Sequence, residues 1–167
     1  MTETRPLSTA PARGGISALL KEKPELYGPI MQASQYIMHR EGALSPAERE
    51  LIASRVSKGA GCGYCEAAHT EVAKAGGIEN AAELVQTPDD RLRPLFELAD
   101  AIVERGHIAR AEVERVTRAG WPEAAAEEVI EVAALFGFFN RIVMAYGITG
   151  THEAHRAAAP RLARSYV

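Results

Sequence analysis

Two cysteines three residues apart, Cys62-Gly63-Tyr64-Cys65, and a histidine four residues further on, His69, are the side chains in this chain best suited to chemistry. If the segment is helical, residues three apart bring their Cβ atoms to about 5–6 Å, whereas a disulfide needs about 3.8 Å. A loose first turn can make up that difference, and Gly61 and Gly63 supply the freedom for it. Such a pair can close and reopen, which suits redox cycling better than permanent cross-linking. Cys62 falls at the first turn, where unpaired N–H groups and the helix dipole favour an anion. A drop of about two units from an ordinary thiol pKa of about 8.5 would make most of it thiolate at neutral pH, a stabilisation of roughly 2.7 kcal/mol. His69 lies one turn beyond Cys65, so its imidazole is placed over that thiol and can take its proton.

A carboxylate completes the constellation. Glu50 shares a helix face with Ala47, Ser54 and Ser57, small residues that would let the cysteine helix pack close and bring Glu50 to the imidazole. Two other readings compete. The cysteines could be two buried apolar thiols, or Cys62, Cys65, His69 and Glu50 could be four zinc ligands, although structural zinc usually joins two separated ligand pairs. Elsewhere the signals are plainer. Tyr64 reads as wall or core. His152 and His155 have metal-like spacing but read as a solvated face, and His39 and His107 carry no signal. Phe136, Phe138, Phe139 and Tyr146 read as core or subunit interface, and Arg141 as a partner for Glu131 or for a neighbouring chain.

The elements that must position these residues are helices; no segment alternates with period two, so no sheet is expected. Pro24 opens a helix over about 24–40. Ser45-Pro46-Ala47-Glu48 combines a cap, a first-turn proline and a capping box, and starts a helix to about Lys58 that stops in Gly59-Ala60-Gly61. The cysteine helix begins at or near Cys62 and ends at Gly76-Gly77. A short helix over 78–85 follows. Thr87-Pro88-Asp89-Asp90 repeats the cap-plus-proline signal, predicting a helix over 88–105 with Leu92, Leu95, Phe96, Leu98, Ala99, Ile102 and Val103 as its apolar stripe. Helices over 110–118, 123–146 and 151–163 complete the chain. The second half of 123–146 is apolar nearly all round, which predicts a helix central in the domain or covered by a partner subunit.

The length of 167 residues fits one domain, residues 15–167, preceded by an arm at 1–14. A composition of 47% hydrophobic and 25% charged residues is that of a globular protein, and its abundant alanine favours helix. A net charge of −3 argues against nucleic-acid binding by bulk charge. No apolar run is long enough to span a membrane, and the first residues have no secretory h-region, so the expected compartment is a reducing cytoplasm. Two cysteines are not a disulfide framework.

The run Arg49-Glu50-Leu51 … Gly61-Cys62-Gly63-Tyr64-Cys65-Glu66-Ala67-Ala68-His69-Thr70 resembles the core motif of the alkylhydroperoxidase D-like proteins of the carboxymuconolactone decarboxylase superfamily. That motif is a glutamate, eleven residues, Cys-x-x-Cys, three residues and a histidine, met here without insertion. The likeness is strong over about 45–76. With the helical layout and the Asn140-Arg141-Ile142 stretch, it is greatest to the peroxidase-related subgroup. The resemblance implies an all-α, single-domain fold, a homo-oligomer (trimer, hexamer or dimer) and reduction of organic hydroperoxides. It implies that Cys65 attacks the peroxide and Cys62 resolves, with His69 and Glu50 relaying the proton, whereas the dipole argument taken alone favours Cys62. It also implies an external dithiol reductant, a dihydrolipoamide-bearing or thioredoxin-like protein, and needs neither cofactor nor metal. Some members carry a second histidine where this chain has Tyr64, so no relay through that position is carried over. Lactone decarboxylation belongs to a branch without the cysteine pair. The alternative from the same chemistry is a thiol–disulfide exchange or redox-sensing protein with weak peroxidase activity.

Overall fold

The computed structural model describes residues 15–167; the expected arm at 1–14 lies outside them. All regular structure among the described residues is helical: α1 (Gly15–Glu22), α2 (Pro24–His39), α3 (Pro46–Gly59), α4 (Gly63–Ala75), α5 (Ala81–Gln86), α6 (Arg93–Arg105), α7 (Arg110–Arg118), α8 (Glu123–Ala145) and α9 (His152–Leu162). They form a single all-α domain.

The capping box foreseen for α3 is present. Ser45 Oγ accepts from Glu48 N, and the Glu48 carboxylate accepts from Ser45 N at 2.8 Å. Pro46 and Pro24 occupy first-turn positions, where a missing N–H is harmless. Two starts differ from expectation. Residues 88–92 form a turn in which Asp89 Oδ1 accepts from Leu92 N at 2.8 Å, and the proline in the first turn of α6 is Pro94 rather than Pro88. Residues 77–80 are likewise a turn, with Gly77 at φ +104°, so α5 starts at Ala81.

α3 is the helix enclosed on nearly every side. Arg49, Glu50, Leu51, Ile52, Ala53, Ser54, Val56 and Ser57 are all buried, and α4, α6 and α8 pack around it. The apolar half of α8 is only partly enclosed, since Met144 remains exposed. The small residues of α3 do what their size allows. Ser54 Oγ lies 2.8 Å from Thr70 Oγ1 of α4, and a Cβ on Gly76 would lie 3.0 Å from Ala47 Cβ. The α3–α4 hairpin therefore packs at the close limit, and Gly61 at φ +75° makes its tight connection.

A buried ion pair sets the other side of α3. Arg49 Nη2 donates to Glu128 Oε2 of α8 at 2.8 Å, and Arg49 Nη1 to the Arg40 carbonyl at 2.7 Å. Glu128 also accepts from the backbone of Ala43 at 2.7 Å and Leu44 at 3.0 Å. A Cβ on Gly42 would overlap this carboxylate. Of the two partners the sequence left open for Arg141, Glu131 is taken by Arg40 and a neighbouring chain is the other; exposed Arg141 donates to the Gly137 carbonyl one turn back on α8.

Candidate active site

Cys62 is the N-cap residue of α4 and Cys65 sits in the first turn. Both are buried, at 2% and 4% exposure. They are reduced, approach to 3.0 Å, and share a thiol–thiol hydrogen bond. The bond is asymmetric. The Cys65 thiol donates to Cys62, and this lowers the Cys62 pKa to about 7; burial opposes it, while the N–H groups of Cys65 and Tyr64 and the charge of His69 assist. The backbone groups act through their field, since no side-chain bond of full geometry caps the helix. Cys65 moves the other way: its bond to Cys62, its burial and the neighbouring thiolate all raise its pKa. Of the two thiols Cys62 is the one that ionises more readily, and the bond donated by Cys65 contributes more to this than the N–H groups of the helix N-terminus.

Glu50 and His69 meet directly. His69 Nδ1 lies 2.6 Å from Glu50 Oε2, with both side chains buried. A carboxylate partner fixes a proton on Nδ1 and leaves Nε2 as the nitrogen free to exchange one. α3 supplies the carboxylate and α4 the imidazole, so the pair depends on the close packing of that hairpin. The edge of Phe136 of α8 walls the imidazole, with ring centroids 4.2 Å apart. Two turns further along the same face of α8, Val143 forms a buried cluster with the two cysteines, joined by Ile16 of α1, Tyr64 and Ile148. The dithiol thus lies in an apolar enclosure, with its polar partners on the Glu50–His69 side.

Tyr166 is the site residue that sequence reasoning missed. It follows α9, and its hydroxyl donates to Glu50 Oε1 at 2.8 Å and lies 3.4 Å from His69 Nδ1. No spacing rule links positions 50, 69 and 166; only the return of the chain after α9 brings them together. Phe136 entered the sequence reading as core or interface and is also a wall of the site. Tyr64 is a wall residue as expected, and its hydroxyl accepts from Ile16 N at 3.3 Å. His155 is buried rather than solvated, with its ring 4.7 Å from that of Tyr64. His152 is exposed, 3.5 Å from Glu71 Oε1. Asn140 is buried and accepts from Ser57 Oγ at 3.0 Å.

The arrangement is not a preformed zinc site. Among the described residues no three His, Cys, Asp or Glu side chains converge on a point where a cation could sit. Nor is any described helix long and apolar enough to cross a membrane.

Comparison with known proteins gives a consistent picture. Residues 24–88, which hold Glu50, Cys62, Cys65 and His69, match the Carboxymuconolactone decarboxylase family. No curated protein matches the sequence. Among solved structures, the chain is similar to the alkylhydroperoxidase AhpD core of a peroxidase-related protein from Ralstonia eutropha JMP134, with a TM-score of 0.74 and 21% identity over 87% of this chain and 80% of that one. A peroxidase-related protein from Silicibacter sp. TM1040 gives 0.68 and 22%, over 92% and 95% of the two chains. The debrominase Bmp8, in its apo form, gives 0.67 and 23%, over 86% and 77%. At these identities the structural matches establish a shared fold.

Proposed function

We propose that this chain, a member of the alkylhydroperoxidase D/carboxymuconolactone decarboxylase superfamily, is a thiol-dependent peroxidase that reduces organic hydroperoxides through Cys62 and Cys65. The observation that carries the reading is the contact between two reduced sulfurs beside a Glu50–His69 pair. One thiolate attacks the terminal oxygen of the hydroperoxide, the O–O bond breaks, and the alkoxide leaves as the alcohol after taking a proton. The attacking sulfur becomes a sulfenic acid. The second cysteine forms the S–S bond and expels water. An external dithiol, dihydrolipoamide-bearing or thioredoxin-like, returns two electrons and two protons by exchange. His69, held by Glu50, accepts and returns the proton. The apolar enclosure of Ile16, Val143 and Ile148 supports an organic rather than a purely polar peroxide.

The order of the cysteines has two readings. The likeness to alkylhydroperoxidase D-like proteins and the register with His69 favour Cys65 as the attacking sulfur and Cys62 as the resolving one. The charge distribution favours Cys62, because it holds the thiolate in the reduced state. Homo-oligomerisation belongs to the same proposal, supported by Ile130 and Met144 exposed on α8 and measurable by sedimentation equilibrium.

The test is a thiol titration before and after stoichiometric cumene hydroperoxide. Loss of two thiols per chain, reversed by a dithiol, is the expected result. Unchanged thiols would remove the peroxidase reading. Two thiols lost but negligible turnover with lipoyl or thioredoxin reductants would favour the redox-sensing alternative.

A further inference from the structure

Glu50 and Glu128 are both buried carboxylates, held in different ways. Glu128 faces a guanidinium that stays charged at any working pH. Glu50, at 2% exposure, has two partners among the described residues, His69 and Tyr166, and neither is a permanent cation. A buried carboxylate without such a partner keeps its charge through the hydrogen bonds it accepts. The Tyr166 hydroxyl is therefore one of the two groups that hold this carboxylate in place.

We infer that Tyr166 is a positioning residue for the Glu50–His69 pair: its hydroxyl fixes Glu50 Oε1, so that Oε2 stays on His69 Nδ1 and the imidazole keeps its basic nitrogen for the dithiol. The inference rests on the reading that this pair serves the cysteines. Its geometry is specific. The single hydroxyl proton goes to Glu50 at 2.8 Å, so toward His69 Nδ1, 3.4 Å away, the tyrosine oxygen can only accept. The residue is held at both ends. Gln35 Oε1 of α2 accepts from Tyr166 N at 2.6 Å and from Ser165 Oγ at 3.1 Å. The ring sits edge-on to His39, with centroids 5.5 Å apart. A tyrosine serving only as core filler would need some acceptor for its hydroxyl; this one takes the carboxylate that orients the imidazole. Burial and the Glu50 charge push its own ionisation well above the ordinary tyrosine range, so the hydroxyl remains a donor.

The titratable groups around the pair are His69 and Cys65 on α4 with Cys62 beyond them, His155 on α9, which feels the charge of His69, Tyr166 after α9, and His39 on α2 behind the tyrosine ring; α8 contributes uncharged Phe136. Removing the hydroxyl frees Glu50 Oε1 and loosens the Glu50–His69 contact, and His69 is one of the influences that keep the Cys62 thiolate. The test is the pH profile of iodoacetamide alkylation of the full chain, which needs no peroxide turnover. Tyr166→Phe moves the midpoint upward by about half a unit. Glu50→Gln moves it the same way, and the double variant moves it no further than Glu50→Gln alone. A Tyr166→Phe profile that overlays the wild type, or shifts that add in the double variant, overturns the inference. Gln35→Ala, which releases the backbone tether, gives a smaller shift of the same sign and decides the matter if Tyr166→Phe does not fold; an unmoved profile there also overturns it. An absence of peroxide consumption in the wild type would sink the proposed function and leave this shift standing.

Discussion

Arg49 and Glu128 form a fully enclosed ion pair, with Nη2 and Oε2 2.8 Å apart, and the next residue after Arg49 is Glu50. Adjacent residues on a helix point about 100° apart. The guanidinium, locked to α8 and the α2–α3 loop, therefore fixes the rotation of α3 that turns Glu50 toward α4. Fold stability and site geometry meet in one dipeptide.

Arg49→Met leaves Glu128 buried without its cation, and a loss of about 3–5 kcal/mol is expected. Adding Glu128→Leu recovers only part of it, because the N–H groups of Ala43 and Leu44 then lose their acceptor. Burial pushes the Glu128 carboxyl up, but those N–H groups and Arg49 overcome it and hold the pKa below the ordinary value. This share of stability is present above the unfolded carboxylate pKa and disappears as pH falls through the depressed folded value. Urea unfolding of both variants and the wild type from neutral pH down to pH 3 checks all three statements.

Thiolate absorbance of the reduced protein should rise with a midpoint at about pH 7, from Cys62 alone. Cys65→Ala removes the donor that makes the largest contribution and moves the midpoint up. Because the folded pKa lies below that of an ordinary thiol, the reduced protein gains stability from this group as pH rises from about 7 through the ordinary thiol range. A Cys62→Ser variant should lack that gain in thermal melts across the same range.

Dimedone trapping after one equivalent of cumene hydroperoxide separates the two orders of attack. Sulfenic acid on Cys65 in Cys62→Ser, with Cys65→Ser inert, assigns the first step to Cys65. The reverse pattern assigns it to Cys62. In either case neither single variant completes a catalytic cycle.

Glu50→Gln preserves shape and an acceptor for His69 Nδ1 but removes the charge. Peroxide-driven thiol oxidation should slow by roughly 10²-fold or more, the scale of general acid–base contributions. The melting temperature should change far less than for Arg49→Met. Equal rates in stopped-flow thiol oxidation would mean that the carboxylate takes no part.

Much of this molecule is legible in its residues. Ser45, Pro46 and Glu48 specify the start of α3 through local hydrogen bonding, and the Cys62–Cys65–His69 register follows from helical geometry once α4 exists. The Glu50–His69 contact was foreseeable because Ala47, Ser54 and Ser57 are small and lie on one face. Local signals fail where two compete. Pro88 reads as a start, but the Asp89 side chain closes a turn onto Leu92, and α6 begins instead with Pro94 in its first turn.

What only the tertiary structure decided involves residues far apart in the chain. Arg49 with Glu128, His69 with Phe136, and Glu50 with Tyr166 are pairs for which no periodicity speaks, because their proximity is set by how whole helices pack. The sequence by itself determined the helices and the cysteine–histidine spacing, since these depend on neighbours within one or two turns. Tertiary packing decided the partners of each carboxylate, because the balance between lost solvation and hydrogen bonds gained exists only once distant segments have closed around them.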